Sequence, residues 1–331
     1  MHSIQQSEIL RVEGLKTYFF TPYGIVKAVD GISFNLNRGE CLCIVGESGS
    51  GKTTVALSIL RLLDEPAKIV DGKIIFNGVN LVEISEKEIR KIRGKEIAMI
   101  FQDPQSSMNP VLKVGEQIVE QIVEHTGMSR KEAKERAIDL LREVGLPDAE
   151  RRVDEYPHQF SGGMKQRTMI AMALSCNPEI IIADEPTSAL DVTIQAQILG
   201  MFEELKKKSI SIIFITHDFS IVSEIADRVV VLYAGKIVER GKRDEIPENP
   251  GHPYTRGLID CMPTISEKKE KLPFVPGTIP SLINPPEGCI FNPRCKFRFE
   301  KCSEEFPPEY RISETHSVAC HLFSGKEHET S

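Results

Sequence analysis

Two stretches carry residue types that could do chemistry together. Gly46-Glu47-Ser48-Gly49-Ser50-Gly51-Lys52-Thr53 fits G-x-x-x-x-G-K-[ST] at every fixed position, the pattern of a loop that cradles phosphates. Its glycines let the backbone curl until successive N–H groups point inward, and a helix beginning there adds partial positive charge. Lys52 can then reach the β- and γ-phosphates, and the Thr53 hydroxyl can ligate Mg2+, with Thr54 following in the same turn. The second stretch, Glu179-Ile180-Ile181-Ile182-Ala183-Asp184-Glu185-Pro186, runs from apolar residues into two consecutive carboxylates. Asp184 would hold Mg2+ through water, and Glu185 would polarise an attacking water. Together the two stretches imply a nucleoside triphosphate site.

Such residues need elements to hold them. Cys41 to Val45 is a five-residue apolar run bounded by polar residues, which reads as a short buried strand. Val55 to Leu63 is helix-compatible, so strand, glycine loop and helix follow in the order a phosphate loop requires. The run before Asp184 reads as a buried parallel strand, whose C-terminal end is where open α/β sheets bind ligands. Ile210 to Ile215 reads the same way and ends in Thr216-His217-Asp218. His217 is there either a partner for a γ-phosphate or an ordinary turn histidine. Ile97 to Phe101 is a further strand, ending at Gln102-Asp103-Pro104.

Upstream, Ile9–Val12, Leu15–Phe20 and Val26–Phe34 read as antiparallel strands separated by turn signals. Tyr18 or Phe19 could stack on an adenine ring or simply fill the core. Gly72 to Gly78 is a strand ending in an Asn-Gly turn. Ala133, Ala137, Leu140, Leu141 and Val144 have helical spacing and close at Gly145. Ser161 is a natural helix cap, and Gly162-Gly163 permit close backbone approach, so this start is either a second anion site or a plain cap and turn. Asp191 precedes helical spacing at Ile194, Ile198, Leu199, Phe202 and Leu205, which suits a cap. Arg228 to Arg240 reads as a hairpin around Ala234-Gly235-Lys236.

The 331 residues suffice for one large domain or a domain with an appendage, and 40% apolar with 27% charged residues is a globular composition. A net charge of −7 argues against general affinity for nucleic acid or anionic lipid. No apolar run approaches the roughly 18 to 20 residues that span a bilayer. Met1 to Leu10 lacks a basic start before an apolar core, so no secretion signal is expected and a cytoplasmic location is. Composition shifts near residue 245, after which prolines crowd into an irregular appendage with few periodic apolar runs. Cys41, Cys43 and Cys176 sit among apolar residues and suit core packing. Cys289, Cys295, Cys302 and Cys320 crowd near the end, and in a reducing compartment they read as metal ligands before disulfides. Their spacing matches neither the close pairs of structural zinc nor the familiar ferredoxin runs, so spacing leaves the metal open.

Taken together and in order, Gly46–Thr53, Gln102, Ser161-Gly162-Gly163, Asp184-Glu185, Ser188–Asp191 and His217 resemble the ATP-binding subunits of ABC transporters. The resemblance covers about residues 8 to 245. It implies an α/β fold: a P-loop NTPase core, an antiparallel β-subdomain, an inserted α-helical subdomain from about 103 to 165, and an irregular C-terminal extension. Residues 1–245 would be the nucleotide-binding domain and 246–331 the extension. In the family's terms Ser161 to Gln166 is the signature motif, although Met164-Lys165-Gln166 follows the glycines where many members have a single glutamine. Gln102 is then the lid-loop glutamine beside Mg2+, His217 the switch histidine, and Phe19 the adenine-stacking residue. Residues 246–322, with Asn249-Pro250-Gly251-His252-Pro253-Tyr254-Thr255, Pro276–Pro280 and Gly288–Cys295, are similar to the extension of dipeptide and oligopeptide importer ATPases. Some nickel and other small-solute importers share it.

The resemblance implies ATP and Mg2+ as cofactors, with a [4Fe–4S] cluster at Cys289, Cys295, Cys302 and Cys320. Zinc is the alternative there, with His316 and His321 as substitute ligands. It implies a head-to-tail dimer with a sister ATPase, two permease subunits, an extracytoplasmic peptide-binding protein, no nucleic acid, and a place on the inner face of the cell membrane. A soluble ABC-type ATPase outside transport, and a metal-sensing regulator, are the alternatives from other classes.

Overall fold

The computed structural model describes residues 8–188, 190–262 and 276–325. Residues 1–7, Ala189, Pro263, Pro273 and the last six residues, on which some of the expectations above fall, lie outside the described residues. The chain divides into two compact units, the first formed by Met1–Asn37, Cys41–Val82 and Thr216–Ser331, the second by Arg38–Glu40 and Glu83–Ile215.

In the first unit an antiparallel sheet runs in the order Gly24–Asn37, Glu8–Thr21, Ala67–Phe76 and Val79–Asn80. The two N-terminal strands expected from sequence are one strand, Glu8–Thr21, whose pairing slips between Val12 and Leu15. Gly14 sits at that slip with φ 56, so a bulge absorbs what reads in sequence as a break. The Asn-Gly turn is present, with Asn77 at φ 46 and Gly78 at φ 82, the conformation a tight hairpin needs.

Cys41–Val45 pairs in parallel with Arg228–Tyr233, and both are almost wholly buried. Burial on both faces is why neither strand alternates apolar and polar residues. Lys236–Lys242 adds antiparallel through a hairpin whose turn puts Ala234 and Gly235 at positive φ. The C-terminal region then extends this edge: Ser317–Val318 pairs with Lys236–Lys242, and Tyr310–Arg311 pairs with Ser317–Val318. By compactness the C-terminal segment thus belongs to the phosphate-loop unit.

The second unit has three parallel strands, Ile97–Ile100, Ile180–Asp184 and Ser211–Thr216, paired in that order. Val114–Thr126, Arg130–Glu143 and Gly162–Leu174 are helices that pack against one another. Ala133, Ala137, Leu140 and Leu141 are fully buried, as their spacing predicts. Ser129 and Glu132 close a reciprocal capping box at the start of Arg130–Glu143. Among the described residues no helix is long and apolar enough to cross a membrane.

Candidate active site

The phosphate loop lies between the buried strand Cys41–Val45 and the helix Lys52–Leu60, which stops earlier than sequence suggests because Arg61 turns left-handed at φ 51. Two glycines in it are steric necessities. A side chain on Gly46 would start 2.2 Å from the Leu232 carbonyl oxygen, and one on Gly51, at φ 104, would start 2.3 Å from that of Ala28. Lys52 is 5% exposed, and its Nζ donates to the carbonyls of Gly46 at 2.7 Å and Glu47 at 3.0 Å. That pins the ammonium inside the curl of the loop. Ser48, Gly49 and Thr53 are exposed, and Ser50 is buried.

The helix behind the loop is tied to the antiparallel sheet by Thr17 and Ser58, whose hydroxyls are 2.8 Å apart and fully buried. Tyr18 and Phe19 are both half-buried, in a stretch where the pairing with Gly24–Asn37 slips between Thr17 and Phe19. Tyr18 is committed elsewhere, its hydroxyl donating to Asp30 at 2.6 Å. His217, also in this unit, is exposed and follows directly on a strand whose six residues are all buried.

In the second unit, Asp184 is 1% exposed at the end of its strand, and Glu185 follows it half-buried. Glu185 has φ 46, a left-handed conformation that a glutamate adopts only under constraint. The constraint is visible: its N–H donates to Ile215 at 3.0 Å, while its carbonyl accepts from the Ser188 N–H at 3.1 Å and the Ser188 hydroxyl at 2.9 Å. Strain of this kind collects at functional sites. Gln102 and Glu185 meet, Nε2 donating to Oε2 at 3.1 Å. Ser161 caps Gly162–Leu174, its hydroxyl accepting from the Met164 N–H at 3.3 Å. Gly163 approaches Ile194, where a side chain would start 3.1 Å from the branched methyl. Asp191 caps Val192–Lys207 by accepting from the Ile194 N–H at 3.0 Å.

Sequence reasoning gave no role to the residues that surround Glu47. Its N–H donates to the Tyr254 hydroxyl at 2.7 Å, and its carboxylate takes both terminal nitrogens of Arg294 at 2.7 and 3.0 Å. Tyr254 and Arg294 stand inside the C-terminal stretches quoted above, but nothing in those stretches says what they touch.

The four C-terminal thiols lie close enough to act on one another. Burial pushes Cys320 up to about 12, with Cys289, Cys295 and Cys302 each adding to the rise, and pushes Cys289 up to about 11. Yet among the described residues no three His, Cys, Asp or Glu side chains are grouped so as to hold a metal ion. Neither the zinc nor the iron–sulfur expectation finds a preformed ligand set. His316, one of the substitute ligands, is engaged elsewhere: its Nε2 is 2.7 Å from a Glu239 carboxylate oxygen, both residues buried. His321 holds the Glu305 carbonyl through Nε2 at 3.0 Å.

Comparison with known proteins bears directly on this arrangement. Residues 29–188 match the family described as ABC transporter, and residues 238–302 match the oligopeptide/dipeptide transporter C-terminal region. The oligopeptide transport ATP-binding protein of Bacillus subtilis is 51% identical over 95% of this chain and 89% of its own. The chain belongs to the ABC transporter ATPases. A dipeptide transport ATP-binding protein of Lactococcus lactis is 49% identical over 94% of this chain and 90% of its own. Among solved structures, a dimeric bacterial ABC transporter cassette superposes with a TM-score of 0.65 at 28% identity, over 71% of this chain and 99% of its own. A cassette from Clostridium perfringens gives 0.61 at 29% identity, over 73% and 91%. As a member of this family the chain is an ATPase, and the expected P-loop NTPase fold is the one observed.

Proposed function

We propose that this chain is the ATP-hydrolysing subunit of an importer for dipeptides or oligopeptides, working through partner permeases. The observation that carries the reading is similarity along nearly the whole chain, C-terminal region included, to peptide transport ATP-binding proteins. A bare cassette accounts for only 71% of it.

In this reading the N–H groups of Gly46–Thr53 and the Lys52 ammonium bind the phosphates, and Phe19 stacks on the adenine. Thr53, Asp184 and Gln102 are the residues that would hold Mg2+, which supplies charge neutralisation at the transferred phosphate. Glu185 orients and deprotonates the attacking water, and its contact with Gln102 supports linking the base to the lid loop. His217 donates to the γ-phosphate. Ser161-Gly162-Gly163 of a sister subunit completes the shell head to tail, in line with a related cassette that is dimeric. Phosphoryl transfer to water asks the protein mainly for positioning and charge stabilisation. A sister ATPase, two permeases and an extracytoplasmic peptide-binding protein are the proposed partners, with this subunit peripheral on the inner face of the membrane.

We propose further that Cys289, Cys295, Cys302 and Cys320 would hold a [4Fe–4S] cluster, four thiols being the complement such a cluster takes. The Cys289 N–H donates to the Cys302 carbonyl at 2.8 Å, which brings two of the four together and supports this. Anaerobically purified chain is expected to be brown with about four irons. Colourless chain with one zinc would overturn it.

The function itself is tested by deleting the gene in its own host and measuring uptake of a labelled tripeptide. Uptake is expected to fail and to return with the unmodified gene but not with Glu185→Gln. Unchanged peptide uptake with lost nickel uptake would replace the substrate class. Unchanged uptake of every solute would favour an ATPase outside transport.

A further inference from the structure

Glu47 brings an acidic side chain into a loop that, on the ATPase reading above, must hold a polyanion. Three holds converge on this one residue. Its carboxylate is gripped by both terminal nitrogens of Arg294, a side chain only 5% exposed. Its N–H donates to the Tyr254 hydroxyl at 2.7 Å. Its carbonyl accepts from Lys52 at 3.0 Å and from the Ser50 N–H at 3.1 Å. The first two come from the C-terminal region, and neither has slack. The Arg294 Nε donates to the Pro276 carbonyl at 2.8 Å, and the guanidinium lies 5.7 Å and 5.8 Å from the ring centres of Tyr233 and Phe291. Tyr254 is fully buried, its ring 4.5 Å from Tyr233 and 5.5 Å from Phe291. A two-point arginine grip fixes direction as well as distance, and a group held before binding costs little to order on binding.

We infer that Arg294 and Tyr254 are positioning residues for ATP: they set the phosphate loop through Glu47, so nucleotide affinity is coupled to docking of the C-terminal segment. The inference rests on the ATPase reading. Coupling between two sites is reciprocal. If the docked segment favours ATP, bound ATP must favour the docked segment.

The test uses the full-length chain and Mg-ATP, with affinity read by displacement of a fluorescent ATP analogue. Tyr254→Phe keeps the ring stack and removes only the acceptor for the Glu47 N–H. It is expected to raise the Kd for Mg-ATP about fivefold, and Arg294→Ala between about 5- and 150-fold, the span of typical coupling between sites. Arg294→Lys should recover part of the loss, keeping charge but not the planar fork. In a Glu47→Gln background, Arg294→Ala should change the Kd by less than about twofold, because contacting residues are not additive. Mg-ATP should also slow amide exchange around residues 291–295 in the unmodified chain. A segment that merely packs would lower the nucleotide-free Tm in these variants and leave the Kd alone.

The coupling is overturned if folded Tyr254→Phe and Arg294→Ala both bind Mg-ATP within about twofold of the unmodified chain. Should Arg294→Ala fail to fold, Tyr254→Phe and the amide exchange decide the matter. An unmodified chain that does not bind Mg-ATP would overturn the ATPase reading instead.

Discussion

The phosphate loop and the C-terminal segment share one compact unit and are held in opposite ways. The loop is shaped by backbone: Gly46 and Gly51 sit where any side chain would collide with a carbonyl oxygen, and Lys52 is tied to carbonyls within six residues of itself. Among its described residues the C-terminal segment has only short helices and two two-residue strands. It is ordered by side chains reaching far along the chain, Arg294 to Glu47, Tyr254 to Glu47, His316 to Glu239, and Phe291 stacked on Tyr233. Local rules build the first, so a short motif announces it. Long-range partners build the second, and it has no signature beyond likeness to relatives. A change at Glu185 should therefore alter chemistry and spare stability, and a change at Glu239 should first alter stability; Arg294 and Tyr254, which reach Glu47, should alter nucleotide affinity.

Glu185→Gln is the strongest test of the first half. Removing one general base is expected to lower ATP hydrolysis by about 10² to 10⁴ while Mg-ATP still binds and the Tm holds. Near-normal turnover would mean that Glu185 is not the base.

Glu239→Ala should show the reverse. This buried carboxylate accepts from the N–H groups of Gly251 at 2.6 Å and His252 at 2.9 Å, and meets His316 at 2.7 Å. Leaving buried donors without their acceptor costs about 1 to 3 kcal/mol apiece. Thermal unfolding and proteolysis of the C-terminal segment should register it. A loss under about 1 kcal/mol would show that the segment is held elsewhere.

Acid should loosen the same region. His252 is buried, and burial holds its pKa down at about 4, against which the nearby Glu239 carboxylate pulls weakly upward. Above pH 6.5 the imidazole is neutral whether folded or unfolded. Below that the unfolded chain takes up a proton that the folded chain refuses, so stability falls as pH drops from about 6.5 to 4, by up to an order of 3 kcal/mol. His252→Gln should flatten that part of the stability–pH curve, and an unchanged slope would remove His252 as its cause.

The smallest effect belongs to a helix cap. Asp191→Ala deletes the acceptor for the Ile194 N–H and should cost about 1 kcal/mol. A much larger loss of ATPase activity than of stability would show that this residue serves the chemistry as well.

The sequence by itself determined the chemistry-bearing stretches and the elements next to them. Gly46–Thr53 must curl, Cys41–Val45 and Ile180–Asp184 must be buried strands, and Ser161 and Asp191 must cap helices, because each depends on neighbours a few residues away. Only the tertiary structure decided that Glu8–Thr21 is one bulged strand, that Tyr18 is spent on Asp30, and that Gln102 touches Glu185. It also decided that His316 serves Glu239, and that Tyr254 and Arg294 close on Glu47. Arg294 and Glu47 stand 247 positions apart. No local periodicity or propensity reaches that distance, because such a contact exists only once two separately encoded surfaces have packed.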